Sequence, residues 1–178
     1  GPRLPEAGDE VAALAARLPG SRVLAGTGAT AGAVLRALDG TRLAHIAAHG
    51  TFRADNPLFS TVELADGPLT AYELERLGRA PGCVVLSACD AGRSGVRPGD
   101  ELIGFTAVLL GLGTRSLVAS LLPVPAERTA TLMLDLHRRM RAGCGPAQAL
   151  AEAQREFAAG GDGVAYATAA AFLCFGTG

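Results

Sequence analysis

The sequence predicts a mainly parallel α/β sheet flanked by helices. Apolar runs of strand length alternate along the chain with segments of helical periodicity, which is the pattern of repeated strand–helix units. Runs such as CVVLSA (83–88) and SLVAS (116–120) are apolar at consecutive positions, as expected for strands buried on both faces. With 178 residues, 49% of them hydrophobic, the chain is long enough for one domain with a sizeable core.

The amino-terminal half alternates helices with three predicted strands. The strands are RVLAG (22–26), LAHIAA (43–48) and TVELADG (61–67), the last closed by an Asp-Gly hairpin turn. A first helix gathers apolar residues on one face: Val11, Leu14, Ala15 and Leu18. A second helix is predicted to begin at Thr30 and to bury Val34, Leu35 and Leu38. A T-x-x-E capping box at Thr70 and Glu73 begins a third helix, which ends near Gly78.

The carboxyl-terminal half continues the alternation. CVVLSA is followed by a glycine-rich loop, an apolar helix over 102–112 and the SLVAS strand. Two further helices are predicted, and the second begins at Pro146. Their buried residues are Leu132, Met133, Leu136 and Met140 in the first and Leu150, Ala153 and Phe157 in the second. The segment AAFLCFG (170–176) is predicted to close the chain as a strand.

Charge and cysteine content exclude several classes of function. The net charge is −1 and the 16 basic residues are spread along the chain, so no nucleic-acid surface is expected. The four cysteines form no CxxC pair and no zinc-finger spacing with histidine, so no metal is expected. The domain is large enough not to need disulfides, so we expect reduced thiols. No organic cofactor is expected. No uninterrupted run of 18 apolar residues and no signal peptide is present, and a cytoplasmic protein without a membrane span is expected. Abundant alanine and glycine and the lack of lysine suggest a bacterial source.

The glycine-rich segment GTGATAG (26–32) follows a predicted strand and begins a helix, as a dinucleotide-binding loop does. Its form is GxGxxxG, and the segment HIAAHG stands where such a site has an acidic residue for the ribose. We therefore expect no nucleotide site, and the glycines are expected to shape a tight strand–helix connection.

Two strands each end in a residue that can carry out chemistry, His49 in one and Cys89 in the other. Ligands of parallel α/β sheets bind beyond the carboxyl ends of the strands. If the 61–77 segment crosses between these strands, the two side chains approach each other, and an imidazole that takes the thiol proton creates a nucleophilic thiolate. The amides of Gly50 and Cys89 would then form an oxyanion hole. The alternative is that Cys89 is inert packing and His49 a core histidine bonded to a carbonyl.

The remaining histidines and cysteines are expected to have no chemical role. His45 lies inside a strand, as a core histidine does, whereas His137 stands beside Arg138 and Arg139 and is expected to be solvated. The other cysteines are expected to be packing residues: Cys83, Cys144 and Cys174.

Nearly the whole chain resembles the CHAT domain, a caspase-like module of the cysteine peptidase superfamily that is commonly attached to tetratricopeptide repeats. The segments that carry the resemblance are AHIAAHGTFRADNPLFSTVELADGPLTAYEL (44–74), VVLSACDAG (84–92), PGDELIGF (98–105), GTRSLVASLLPVPAERTATLM (113–133) and GPAQALAEAQ (145–154). The resemblance implies a three-layer caspase-haemoglobinase-like fold. It also implies a Cys–His dyad, with His49 as the catalytic histidine, Cys89 as the nucleophile and Gly50 in the oxyanion hole.

The chain departs from that family in two respects. The segment VAYATAAAFLCFG has Tyr166 but no tryptophan where the family often carries an aromatic pair and Trp. The family also usually has one or more strands before the point where this chain begins. We therefore expect residues 1–178 to be a single CHAT domain, and a fragment of a longer protein that lacks the upstream strand or strands.

The resemblance also bears on substrate choice. In caspase-like enzymes the residue two before the nucleophile often lines the first substrate pocket, and here it is Ser87, which indicates no charge preference. Three acidic residues flank the loop after Cys89: Asp90, Asp100 and Glu101. Near a pocket they would favour a basic side chain at the cleaved position. They are equally well explained as solvated carboxylates or as charges at the start of the following helix.

The function that these observations indicate is a caspase-like cysteine endopeptidase acting on a protein or peptide substrate. The glycine-rich loop directly after Cys89 is expected to be gated by a partner protein or by flanking repeats. The alternative is a catalytically silent signalling or scaffold domain that acts through protein–protein interaction.

Overall fold

The computed structural model describes residues 5–51, 53, 56–89, 100–122, 124 and 126–177. Its helices are α1 (Pro5–Arg17), α2 (Ala31–Leu38), α3 (Asp100–Gly111), α4 (Ala126–Arg141), α5 (Pro146–Ala159) and α6 (Gly163–Ala170). Its strands are β1 (Leu43–Thr51), β2 (Thr61–Leu64), β3 (Gly67–Thr70), β4 (Cys83–Cys89), β5 (Ser116–Ser120) and β6 (Phe172–Gly176). The strands form a sheet in the order β3-β2-β1-β4-β5-β6.

The sheet is mixed, so the prediction of a mainly parallel sheet is wrong. β1, β4 and β5 run parallel to one another at the centre. β2 is antiparallel to β1, β3 to β2, and β6 to β5. The two-residue connection between β2 and β3 permits only an antiparallel pair, because a parallel pair needs a crossover of a dozen residues or more. An apolar run carries no information on strand direction, so composition alone could not reveal this.

Helices cover both faces of the sheet, in agreement with the expected three layers. On one face α2, α3 and the β2–β3 hairpin bury a cluster that includes Leu38, Leu69 and Leu109. On the other face α1, α4, α5 and α6 bury a second cluster that includes Leu132, Met133 and Phe172. Within the described ranges, no helix is long and apolar enough to cross a bilayer.

Two helix starts follow the predicted caps. The hydroxyl of Thr30 accepts a hydrogen bond from the Ala33 amide at the start of α2. Thr70 and Glu73 form the reciprocal capping box, although the segment that they begin, Ala71–Arg76, is a 3₁₀ helix rather than an α-helix. Both caps satisfy amides that have no partner within their own helix.

One predicted strand is absent, and one helix was not predicted. RVLAG is not a strand: residues 21–25 have no regular structure, and Val23 is 44% exposed because no neighbouring strand covers it. The glycine-rich segment that follows contains a 3₁₀ turn over Gly26–Gly28 before α2 begins. The helix α6 was not expected, since its apolar residues Val164 and Tyr166 face solvent and make no buried stripe.

Candidate active site

The two strands that end in candidate catalytic residues are neighbours. β1 and β4 pair in parallel over the whole of β4, and the last pair of this ladder is His49 with Cys89. The chain crosses between them through the 61–77 segment, which contains the β2–β3 hairpin and the 3₁₀ helix. The prediction that the two strands are adjacent is therefore confirmed, and the positions of His49 and Cys89 meet at the carboxyl end of the parallel core.

His49 and His45 lie on the same face of β1, since residues four apart in a strand point the same way. Both ring nitrogens of His45 have partners: Nε2 lies 2.7 Å from Glu10 Oε1, and Nδ1 lies 3.1 Å from Nε2 of His137. His49 differs, because its buried Nδ1 has no hydrogen-bond partner among the described residues. A buried ring nitrogen without a partner is unusual in a folded protein, and Nδ1 of His137 is the other example in the described part of the chain.

Gly50 follows His49 in β1 and is buried. It stands opposite Val62 of β2 in the antiparallel register, so the hairpin closes over the end of β1 on that side. The candidate oxyanion amide therefore belongs to a regular strand and not to a loop, which fixes its position relative to His49.

Several predicted site features fall outside the described part of the chain. The side chain of Cys89, the loop over 90–99 and Asp90 within it are not described. The helix α3 begins at Asp100, but the side chains of Asp100 and Glu101 also lie outside the described set. The acidic pocket and the gating loop accordingly remain predictions.

A buried polar network lies beneath this end of the sheet, and the sequence did not predict it. Glu10 of α1 is 5% exposed and contacts His45, which in turn contacts His137 of α4. The hydroxyl of Ser87 donates to Oε2 of Glu10 over 3.1 Å. The candidate pocket residue Ser87 therefore has a structural partner, while its predicted place in a substrate pocket stays a prediction.

The prediction that His137 is solvated is wrong, since the residue is only 2% exposed. The adjacent Arg138 and Arg139 point to the other side of α4, where both bind Asp135. The sequence contained a usable signal for Glu10, which lies one helical turn before the buried Leu14 and so shares its face. An acidic residue at the edge of an apolar stripe is ordinarily solvated, which is why the position was overlooked.

The other cysteines pack as predicted. Burial, reinforced by Cys174 and opposed by Arg115, raises the pKa of the Cys83 thiol to about 12. Burial also raises the pKa of Cys174, and Cys144 packs against the same cluster. These three thiols are free rather than disulfide-bonded. Across the described ranges, no group of histidine, cysteine and acidic side chains has a geometry that could hold a metal ion.

Acid is expected to destabilise the fold through His137. Burial, and then the neighbouring His45, lower its pKa from 6.5 to about 4. As the pH falls from 6.5 to 4, the unfolded chain takes up a proton that the folded protein does not, so the free energy of unfolding should drop by about 3 kcal/mol. His137→Gln should flatten this dependence, which urea unfolding between about pH 4 and pH 7 measures. The variant keeps His45 and Glu10. If its free energy of unfolding still falls with pH as steeply as that of the wild type, His137 is not the source of the acid sensitivity.

The structure defines a three-layer α/β protein. In it, His49 of β1 stands opposite Cys89 of β4 in the last pair of the parallel ladder. A comparison with protein-family models matches the CHAT domain over residues 1–176. The chain therefore belongs to the CHAT domain family, a caspase-like family whose membership is compatible with cysteine peptidase activity. A search of curated proteins finds no match.

Proposed function

We propose that this chain is a cytoplasmic, caspase-like cysteine endopeptidase with Cys89 as nucleophile and His49 as the proton-transfer residue. His49 takes the thiol proton, and the thiolate attacks the peptide carbonyl. The protonated imidazole then gives its proton to the leaving amine, which departs and leaves a thioester on Cys89. Water, deprotonated by His49, hydrolyses the thioester, releases the acid and regenerates the thiol.

The observation that carries this proposal is the register of the two central strands. His49 and Cys89 are direct partners in a parallel ladder. Adjacent strands lie about 4.8 Å apart, which puts the two backbones within side-chain reach of each other. The Nδ1 of His49, unpartnered among the described residues, is compatible with this role, because the nitrogen is free to take part in proton transfer, although Nδ1 of the structural His137 is unpartnered as well.

Two amides are proposed to stabilise the oxyanion, those of Gly50 and Cys89. Cys89 ends β4, and Gly50 follows His49, the last residue of β1 that pairs with β4, so the two amides are proposed to point at one carbonyl oxygen beyond the parallel pairing. A strong donor in such a site contributes about 3–4 kcal/mol to the stabilisation of the transition state. The chemistry requires no metal and no organic cofactor.

Activity and specificity are proposed to depend on the 90–101 segment. The position of this loop decides whether a substrate groove exists next to Cys89, so a partner protein or flanking repeats that order it would raise activity. A difference of about 2–3 kcal/mol between ordered and unordered states changes activity by roughly 30–150-fold. If Asp90, Asp100 and Glu101 line the ordered pocket, cleavage should follow arginine or lysine.

A peptide-library assay tests the proposal. We expect slow cleavage by this domain alone, faster cleavage by the domain joined to regulatory repeats or a partner protein, and a preference for arginine or lysine at the cleaved position. High turnover by the domain alone would contradict the proposal that the 90–101 segment controls activity. A preference for acidic or apolar residues at the cleaved position would contradict the proposed acidic pocket. No cleavage by either protein would favour the scaffold role instead.

A further inference from the structure

Four polar side chains form a hydrogen-bonded chain on the sheet face that also carries His49. The chain runs from Ser87 to Glu10 over 3.1 Å, from Glu10 to His45 over 2.7 Å, and from His45 to His137 over 3.1 Å. It joins four elements, since these residues belong to β4, α1, β1 and α4 in that order. Strand alternation places His45 on the same sheet face as His49, so the network and the candidate base share one side of the sheet.

The hydrogen bonds of this network have a consistent direction. Ser87 donates to one oxygen of Glu10, and the Nε2–H of His45 donates to the other. The Nδ1 of His45 can then accept from His137, whose buried ring is neutral near pH 7 because burial lowers its pKa to about 4. This arrangement leaves only a lone pair, on Nδ1 of His137, without a partner among the described residues. Two donors thus converge on the Glu10 carboxylate.

Burying such a network is a costly way to stabilise a protein. Well-packed apolar side chains of similar size often give equal or greater stability than buried charged or polar groups. The polar network instead fixes the positions of the helices and strands that it joins. Each hydrogen bond is well formed only when its two elements lie in one particular arrangement. Here the fixed placement is that of β1 at His45 and of β4 at Ser87, both relative to α1.

The attachment points lie close to the reacting positions. Ser87 precedes Cys89 by two residues, about 7 Å along the strand, and His45 precedes His49 by four, about 13 Å. A shift of α1 would act on both strands at once, because the two oxygens of Glu10 bind one residue on each.

We propose that Glu10 is a positioning residue for the His49–Cys89 pair, fixing how β1 and β4 lie against α1 so that the two side chains keep the spacing that the proton transfer requires. The inference rests on the proposed function. It assigns the carboxylate of α1 a role in the reactivity of Cys89 although Glu10 itself touches neither reacting residue.

The test is the rate at which iodoacetamide alkylates Cys89, followed against pH by peptide mass spectrometry, which separates Cys89 from the other thiols and needs no substrate. Glu10→Met should lower the rate at neutral pH at least about tenfold and move the profile toward that of an ordinary thiol, with a midpoint near 8.5. Glu10→Gln keeps an acceptor oxygen for the His45 ring and places an amide N–H from which the Ser87 hydroxyl can accept, so it should keep most of the wild-type rate. Ser87→Ala, a milder change that spares the fold, should give a smaller loss in the same direction.

Leu14→Ala is the matched control, because Leu14 is buried on the same face of α1 and lies outside the polar network. It should weaken the fold without altering the alkylation profile at temperatures where the protein stays folded. An equal loss of the Cys89 alkylation rate in Leu14→Ala would overturn the inference. So would a wild-type pH profile of alkylation in both Glu10→Met and Ser87→Ala. His49→Ala separates the two claims: if it leaves the Cys89 profile unchanged, the proposed dyad itself fails, whereas an effect of His49 without an effect of Glu10 refutes only the positioning role.

Discussion

Replacing Cys89 by alanine is expected to reduce peptide-bond hydrolysis by at least about 10³-fold, because the attacking sulfur is lost. The same replacement at Cys83 should leave the rate little changed. Cys83 begins the same strand, is 8% exposed, and has a thiol pKa that burial raises to about 12, so it holds no thiolate at neutral pH. The measurement is kcat/KM on a peptide that the wild-type protein cleaves.

The pair of variants separates chemistry from folding. Both remove one thiol from β4, and circular dichroism at the assay temperature shows whether each stays folded. A Cys89→Ala protein that retains the wild-type rate, or a Cys83→Ala protein that is folded but equally inactive, would contradict the assignment of the nucleophile.

Replacing Phe172 by alanine is expected to lower the free energy of unfolding by about 3–5 kcal/mol. The ring of Phe172 is fully buried in the cluster between β6 and the helices α4, α5 and α6, where its removal leaves a cavity. Leu173 is the control, since it is the next residue of β6, points to the opposite face and is 41% exposed. Leu173→Ala should lower the free energy of unfolding much less.

Urea unfolding of the two variants under identical conditions measures this difference. Equal costs for Phe172→Ala and Leu173→Ala would show that the carboxyl-terminal strand does not pack in the orientation described. A large loss confined to Phe172 would confirm that β6 belongs to the core although it lies at the sheet edge.

The position of the candidate dyad could be predicted from the sequence. Runs that are apolar on both faces identify central strands, and the carboxyl ends of neighbouring parallel strands meet at one edge of the sheet. His49 and Cys89 each end such a run, and the structure makes them register partners. The caps at Thr30 and Thr70 were predictable for a similar reason, because a cap is set by residues only three positions apart.

The polar network could not be predicted in the same way. Its hydrogen bonds join residues 35, 77 and 92 positions apart, so only the packing of α1 and α4 against the sheet reveals them. Without that packing, Glu10 resembles a solvated helix residue and His137 resembles part of a basic surface. Tertiary contacts also determine the structure of RVLAG. Its residues are suited to a strand, but no strand in the described part of the fold lies beside it to pair with.

The most direct test of the central claim is a crystal structure of the protein that resolves Cys89 and the 90–99 loop. We expect the Cys89 sulfur to lie roughly 3–7 Å from the nearest ring nitrogen of His49, a range that allows for the loose geometry of a free enzyme. A structure in which the two side chains point to opposite faces of the sheet would contradict it.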